Sequence, residues 1–106
     1  MIKGKSTKTM EELSNRTKAY LSLTKEALAK IKITLKDPKA AEDLLDLAKR
    51  YYSDAQYFEK KGDLIRAYGA VCYAHCFLDA GARLGLFDVG GDSRLFMVDE
   101  EDKKER

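Results

Sequence analysis

The sequence predicts an all-α protein, an up-down-up three-helix bundle with a short extended C-terminal segment packed back on it. Two breaks and one period carry that expectation. The single proline, Pro38, directly follows Asp37, and a Gly62-Asp63 pair interrupts the chain further on. Each break reads as one helix stopping and another starting, because proline suits the first helical position, glycine the residue just past a helix end, and aspartate the N-cap. Between the breaks, apolar side chains recur at steps of three and four, the period of one helix face. A chain of 106 residues is one domain by the usual size prior. Residues 1–98 are assigned to it, leaving 99–106, DEEDKKER, as a charged, frayed tail.

The first helix is expected over about 9–34. Thr9 followed by Glu12 has the capping-box pattern, in which a hydroxyl and a carboxylate satisfy orphan N–H groups of the first turn. Leu13, Tyr20, Thr24, Ala27 and Ile31 then mark one face, with Lys18, Lys25, Lys32 and Lys36 nearly opposite. The second helix, 38–61, shows a stripe of Ala41, Leu44, Ala48, Tyr51, Ala55 and Phe58. So short a turn at Gly62-Asp63 makes helices two and three an antiparallel hairpin. The third helix, 63–84, is the most apolar and the most buried: Ala67, Ala70, Ala74 and Gly81 form a small-residue face, and Gly85 is its C′ residue. Beyond it, Asp88 to Ser93 reads as a turn and Arg94 to Val98 as a short extended segment. Exposed, that segment would invite aggregation, so it is expected to fold back on the bundle or to cover a partner chain.

Composition excludes several classes. With 44% hydrophobic and 36% charged residues the chain is folded rather than disordered. Ala67 to Leu78, the longest uncharged run, falls far short of the about 20 apolar residues of a membrane span, and no secretory signal is visible. Cys72 and Cys76 lie one helical turn apart, where a disulfide is strained, so reduced thiols and a cytoplasmic setting are expected. Asn15 and Gln56 are the only side-chain amides among many Lys, Arg and Glu residues, a thermophile's bias. Residues 1–36 carry nine basic and three acidic side chains, so a polyanion partner belongs to the first helix alone.

Four constellations carry candidate chemistry. Cys72, His75, Cys76 and Asp79 are ligand types on one side of a helix, but one face climbs its axis and does not close a tetrahedron; no metal and no cofactor are assigned. Tyr68, His75, Asp79 and Arg83 form a stripe with a base, a carboxylate and a cation at steps of four. It is equally a set of contacts pinning a helix face. Lys18, Lys25, Lys32 and Lys36 are candidate nucleic-acid contacts, although no aromatic side chain interleaves them to stack bases. Phe87, Leu95, Phe96 and Val98 are candidate interface residues.

The run from Tyr51 to Val89, YYSDAQYFEKKGDLIRAYGAVCYAHCFLDAGARLGLFDV, resembles the short archaeal proteins grouped as domain of unknown function 357. The likeness rests on a tyrosine-rich second helix, the Gly-Asp turn, Tyr73-Ala74-His75, Leu78-Asp79-Ala80-Gly81 and the exit Arg83-Leu84-Gly85-Leu86-Phe87. It covers about Lys8 to Val98 and implies a three-helix bundle from an archaeon, with no activity attached. The cysteine pair is not part of that motif. The function expected is therefore a non-enzymatic interaction module, binding itself as a homodimer or another protein. The alternatives are nucleic-acid association through helix one and, third, a metal or hydrolytic site around His75 and Asp79.

Overall fold

The computed structural model describes residues 2–96, with side chains from Lys8 onward. In chain order the elements are α1 (Ile2–Lys30), β1 (Lys32–Ile33), α2 (Pro38–Lys60), α3 (Leu64–Arg83) and β2 (Phe87–Asp88). Three helices and one tiny antiparallel pairing, Lys32 with Asp88 and Ile33 with Phe87, make up the fold. It is the all-α three-helix bundle expected. Val98 and the 99–106 tail lie outside the described residues. Among the described residues no helix is long and apolar enough to cross a membrane.

The hairpin of α2 and α3 is built by its caps. Asp37 accepts from the Ala40 N–H and Asp63 from the Arg66 N–H, each at 3.1 Å, so both helix starts are capped by their own aspartates. Gly62 sits at φ +79°, with its N–H on Glu59 O and the Asp63 N–H on Phe58 O. Gly85 repeats the motif at φ +77°, bonding Ala82 O while Leu86 bonds Gly81 O. These paired bonds satisfy the last carbonyls of each helix, and the left-handed residue they require is glycine.

Between the caps, Ala41, Ala48 and Ala55 of α2 and Ala67 and Ala74 of α3 are fully buried. Alanines seven residues apart on facing antiparallel helices let the axes approach to about 8 Å, the low end for helix pairs. On its other side α3 packs against α1, which runs parallel to it, with Thr17, Thr24 and Ala27 buried at the contact. The two outer helices touch each other little. The C-terminal segment fills the wedge they leave, so the core joins Ala27, Ala48, Leu78 and Ala82 to Leu86, Phe87, Val89, Leu95 and Phe96.

Three local expectations are corrected. Helix one starts at Ile2, not near Thr9, because no proline stands between them and the one glycine, Gly4, weakens a helix without ending it; Thr9 lies within it, and Glu12 pairs with Arg16 one turn on, at 3.1 Å. It also stops at Lys30 and not Thr34. The β-branched residues Ile31, Ile33 and Thr34 favour extended backbone, and Thr34 bonds Leu86 O through its N–H and Gly85 O through its hydroxyl. Finally, the residues from Arg94 to Phe96 are not extended. Asp92 Oδ1 accepts from the N–H groups of Arg94 and Leu95, and the Phe96 N–H bonds Asp92 O, winding them into a single turn. That turn packs back on the bundle.

Candidate functional site

His75 sits where the three parts of the core meet. Its Nε2 lies 2.6 Å from the carbonyl oxygen of Leu95 and its Nδ1 3.1 Å from Thr24 Oγ1. A carbonyl can only accept, so Nε2 carries the proton, and in the neutral ring Nδ1 accepts from the Thr24 hydroxyl. The ring also stacks on Phe96, with centroids 6.4 Å apart and planes 27° from parallel. Asp79 Oδ1 is further from Nε2, at 3.7 Å. Sequence spacing expected Asp79 as the partner; the tertiary partners are Thr24 and Leu95, from elements far away in the chain.

The segment that His75 grips is tied to α1 as well. Lys30 Nζ lies 2.8 Å from Asp92 Oδ2, and Arg94 pairs with Glu26. The Lys30 ammonium, helped by the N–H groups of Leu95 and Arg94 and opposed by desolvation, holds the Asp92 carboxyl down at about 2. Arg94 likewise lowers Glu26, mainly through their hydrogen bond.

The other candidate residues are dispersed. Tyr68 packs edge-on against Tyr20 at 5.7 Å, two turns before His75, and the adjacent Cys72, then burial, pushes its phenol up. Arg83 is exposed at the far end of α3. Within the stripe His75 and Asp79 lie 3.7 Å apart, while Tyr68 packs on Tyr20 two turns earlier. Cys72 is half-buried and Cys76 exposed, and both nitrogens of His75 are already engaged. Among the described residues no group of three or more His, Cys, Asp or Glu side chains could hold a metal ion.

The lysines divide. Lys18 and Lys25 lie exposed on α1, but Lys32 belongs to β1. Lys36 precedes α2 and turns its ammonium 2.8 Å from Leu84 O, onto the C-terminus of α3. One continuous basic helix face is thus corrected to a pair plus two residues held by tertiary structure. The interface expectation is corrected too. Phe87, Leu95 and Phe96 are 1–2% exposed, because they fill the wedge between α1 and α2.

Sequence reading missed the surface that stays open. Ile65 is 77% exposed, Tyr73 60% and Leu84 57%, all on the side of α3 facing away from the core. Gly69 and Cys76, exposed, and Ala80, half-buried, lie between them. A Cβ added at Gly69 would meet nothing within 4 Å. The edge-on pairs Tyr20–Tyr68, at 5.7 Å, and Tyr51–Tyr73, at 5.3 Å, border this face towards α1 and α2. The readable signal was the spacing of 65, 69, 73, 76, 80 and 84 on the side opposite the alanine face.

Fold and site together define a small helical bundle cross-linked by a buried histidine, with one apolar helix face uncovered. The chain belongs to the DUF357 family: the model of a family described as a protein of unknown function matches residues 19–87, from the middle of α1 to the first residue of β2. The crystal structure of protein AF1782 from Archaeoglobus fulgidus, of the same family, is similar to it. That likeness has a TM-score of 0.67 and 30% identity, covering 76% of this chain and 97% of that one. No curated protein matches. The matched stretch contains Thr24 and His75 and ends before Leu95, so the histidine's carbonyl partner comes from outside it.

Proposed function

We propose that this protein is a non-enzymatic helical interaction module whose docking surface is the outer face of α3. The exposure of Ile65, Tyr73 and Leu84 carries this reading. In a small domain that has already buried Phe87, Leu95 and Phe96, a row of large apolar side chains left in water marks a contact site. Tyrosine, amphipathic and with few rotatable bonds, is a favoured interface residue, and Tyr73 stands in the middle of the row. The free thiols of Cys72 and Cys76 support a reducing, cytoplasmic setting. Nucleic-acid association through α1 has less support, since only Lys18 and Lys25 of the four lysines remain on that helix.

Cys76 supplies the test, because it lies on the proposed face and is exposed in the isolated chain. Its alkylation by a small maleimide, with Cys72→Ser removing the second thiol, should proceed at the rate of a free exposed thiol in dilute protein. In a native extract of expressing cells it should be at least about tenfold slower, as expected for a thiol covered by a partner. Equal rates in the two settings would reject the reading.

A further inference from the structure

The C-terminal turn is built as a unit of its own. The Asp92 N–H bonds Val89 O, Asp92 Oδ1 accepts from the N–H groups of Arg94 and Leu95, and the Phe96 N–H bonds Asp92 O. Those bonds travel with the turn wherever it sits. It hangs from Gly90-Gly91, at φ +64° and +71°, a left-handed pair that glycine adopts readily. A Cβ on Gly90 would meet nothing within 4 Å, so the hinge stands in open space. Ahead of the hinge, β2 is fixed by its pairing with β1. Lys30, Glu26 and His75 tie the turn to the bundle: Lys30 Nζ lies 2.8 Å from Asp92 Oδ2, Glu26 pairs with Arg94, and His75 Nε2 holds Leu95 O at 2.6 Å.

We propose that residues 92–96 are a strap that opens as a unit about Gly90-Gly91 while the three helices stay folded, and that the ion pairs Lys30–Asp92 and Glu26–Arg94 set how often it opens. Ionic strength thereby regulates access to the His75 side of α3. Both pairs lie at the surface, where added salt screens them, whereas the burial of Leu95 and Phe96 is not weakened by salt. The contacts that hold the helices together do not pass through the strap. Ala41, Ala48 and Ala55 face α3 through Ala67 and Ala74, and Thr17 and Thr24 are buried against it from α1. The stretch matched by the family model likewise ends at residue 87, ahead of the hinge.

His75 reports the opening directly, being the chain's one histidine. With the strap closed its ring is buried, Nε2 on Leu95 O and Nδ1 on Thr24 Oγ1, with Phe96 stacked alongside. Lifting residues 92–96 removes both Leu95 and Phe96 from the ring and uncovers the core positions they share with Ala27, Leu78 and Ala82. Diethyl pyrocarbonate, which acylates the neutral imidazole, then reaches a nitrogen that the closed state withholds.

The rate of His75 carbethoxylation in the full chain is the test. For the wild type it should rise roughly two- to fivefold between about 0.02 M and about 0.5 M sodium chloride, the effect of screening exposed ion pairs. Asp92→Asn and Glu26→Gln should each raise it by roughly the same factor at low salt, and the double variant should no longer respond to salt. Lys25→Met, elsewhere on α1, should leave the rate unchanged. Urea should accelerate the wild-type reaction with less than about half the slope of global unfolding, because the slope follows the surface exposed and the strap is a small part of it. Circular dichroism establishes that each variant is folded. A urea slope equal to that of global unfolding would mean that the strap opens only with the whole fold, and would overturn the inference. So would a wild-type rate indifferent to salt, or a double variant that responds to salt as the wild type does.

Discussion

The imidazole of His75 donates from Nε2 to the main-chain oxygen of Leu95, 2.6 Å away and twenty residues on. This bond fastens the C-terminal segment to the most buried helix, while Nδ1 fastens the same ring to Thr24 of α1. One side chain thus joins α1, α3 and the C-terminal segment, with both ring nitrogens hydrogen-bonded.

His75→Ala should therefore destabilise the protein by about 2–4 kcal/mol, since it strands a buried carbonyl and hydroxyl and leaves a cavity. Urea unfolding measures the loss, and amide exchange should rise first at residues 92–96. In the intact protein the imidazole ¹⁵N shifts should be those of the Nε2–H tautomer. The Nδ1–H pattern would contradict the assignment.

Two glycines of α3 should respond oppositely to alanine. A Cβ at Gly81 would lie 2.2 Å from Phe87 Cε2 and 2.4 Å from Cδ2, and that ring is locked in the core. Gly81→Ala should cost about 1–3 kcal/mol, as overpacking does. Gly81→Ala with Phe87→Leu should cost less than the sum of the two single changes, because the two residues share the space. Gly69→Ala meets nothing within its own chain and should stabilise the isolated folded chain by about 0.5–1 kcal/mol through helix propensity and a less flexible unfolded state. Thermal melts of the two variants give the comparison.

Acid should loosen the C-terminal segment through Asp92. Its carboxyl is lowered from 3.8 to about 2, so its stabilising contribution is present above the unfolded value and is lost as pH falls through the folded one. Asp92→Asn should be less stable than wild type near neutrality, and the gap should close between about pH 4 and pH 2. A gap independent of pH in urea titrations would mean that the ionised carboxylate is not what holds the turn.

Lys36 and Lys25 should separate cleanly. Lys36 places its ammonium on Leu84 O at the negative end of α3, so Lys36→Met should cost about 0.5–1 kcal/mol. Lys25→Met should change stability by less than about 0.5 kcal/mol, as exposed surface substitutions do. Unfolding midpoints of the pair decide it.

Much of this was legible in single residues. Asp37-Pro38 and Gly62-Asp63 specify the caps and the hairpin because capping depends only on the residue and its neighbours within a turn. The Ala41, Ala48, Ala55 stripe could be read because helical phase alone sets which residues share a face. The end of α1 was not legible: Ile31 continues the helical period, and the strand preference of Ile31, Ile33 and Thr34 prevails only because Phe87 and Asp88 offer a pairing edge. Lys32 and Lys36 looked helical for the same reason.

By itself, then, the sequence determined three helices, their order, the caps of α2 and α3 and the hairpin, all of which follow from local geometry and periodicity; the family was legible in the resemblance carried by residues 51–89. The tertiary structure decided what covers α3. The chain's own segment through Leu95 and Phe96 closes the core side, because α1 and α2 diverge and leave a wedge that only large side chains fill. That choice made His75 a cross-link between Thr24 and Leu95, with Asp79 still 3.7 Å from the ring. It also left the opposite face, from Ile65 to Leu84, in solvent. Contacts between residues fifty positions apart depend on how helices cross, and helical phase alone does not encode the crossing.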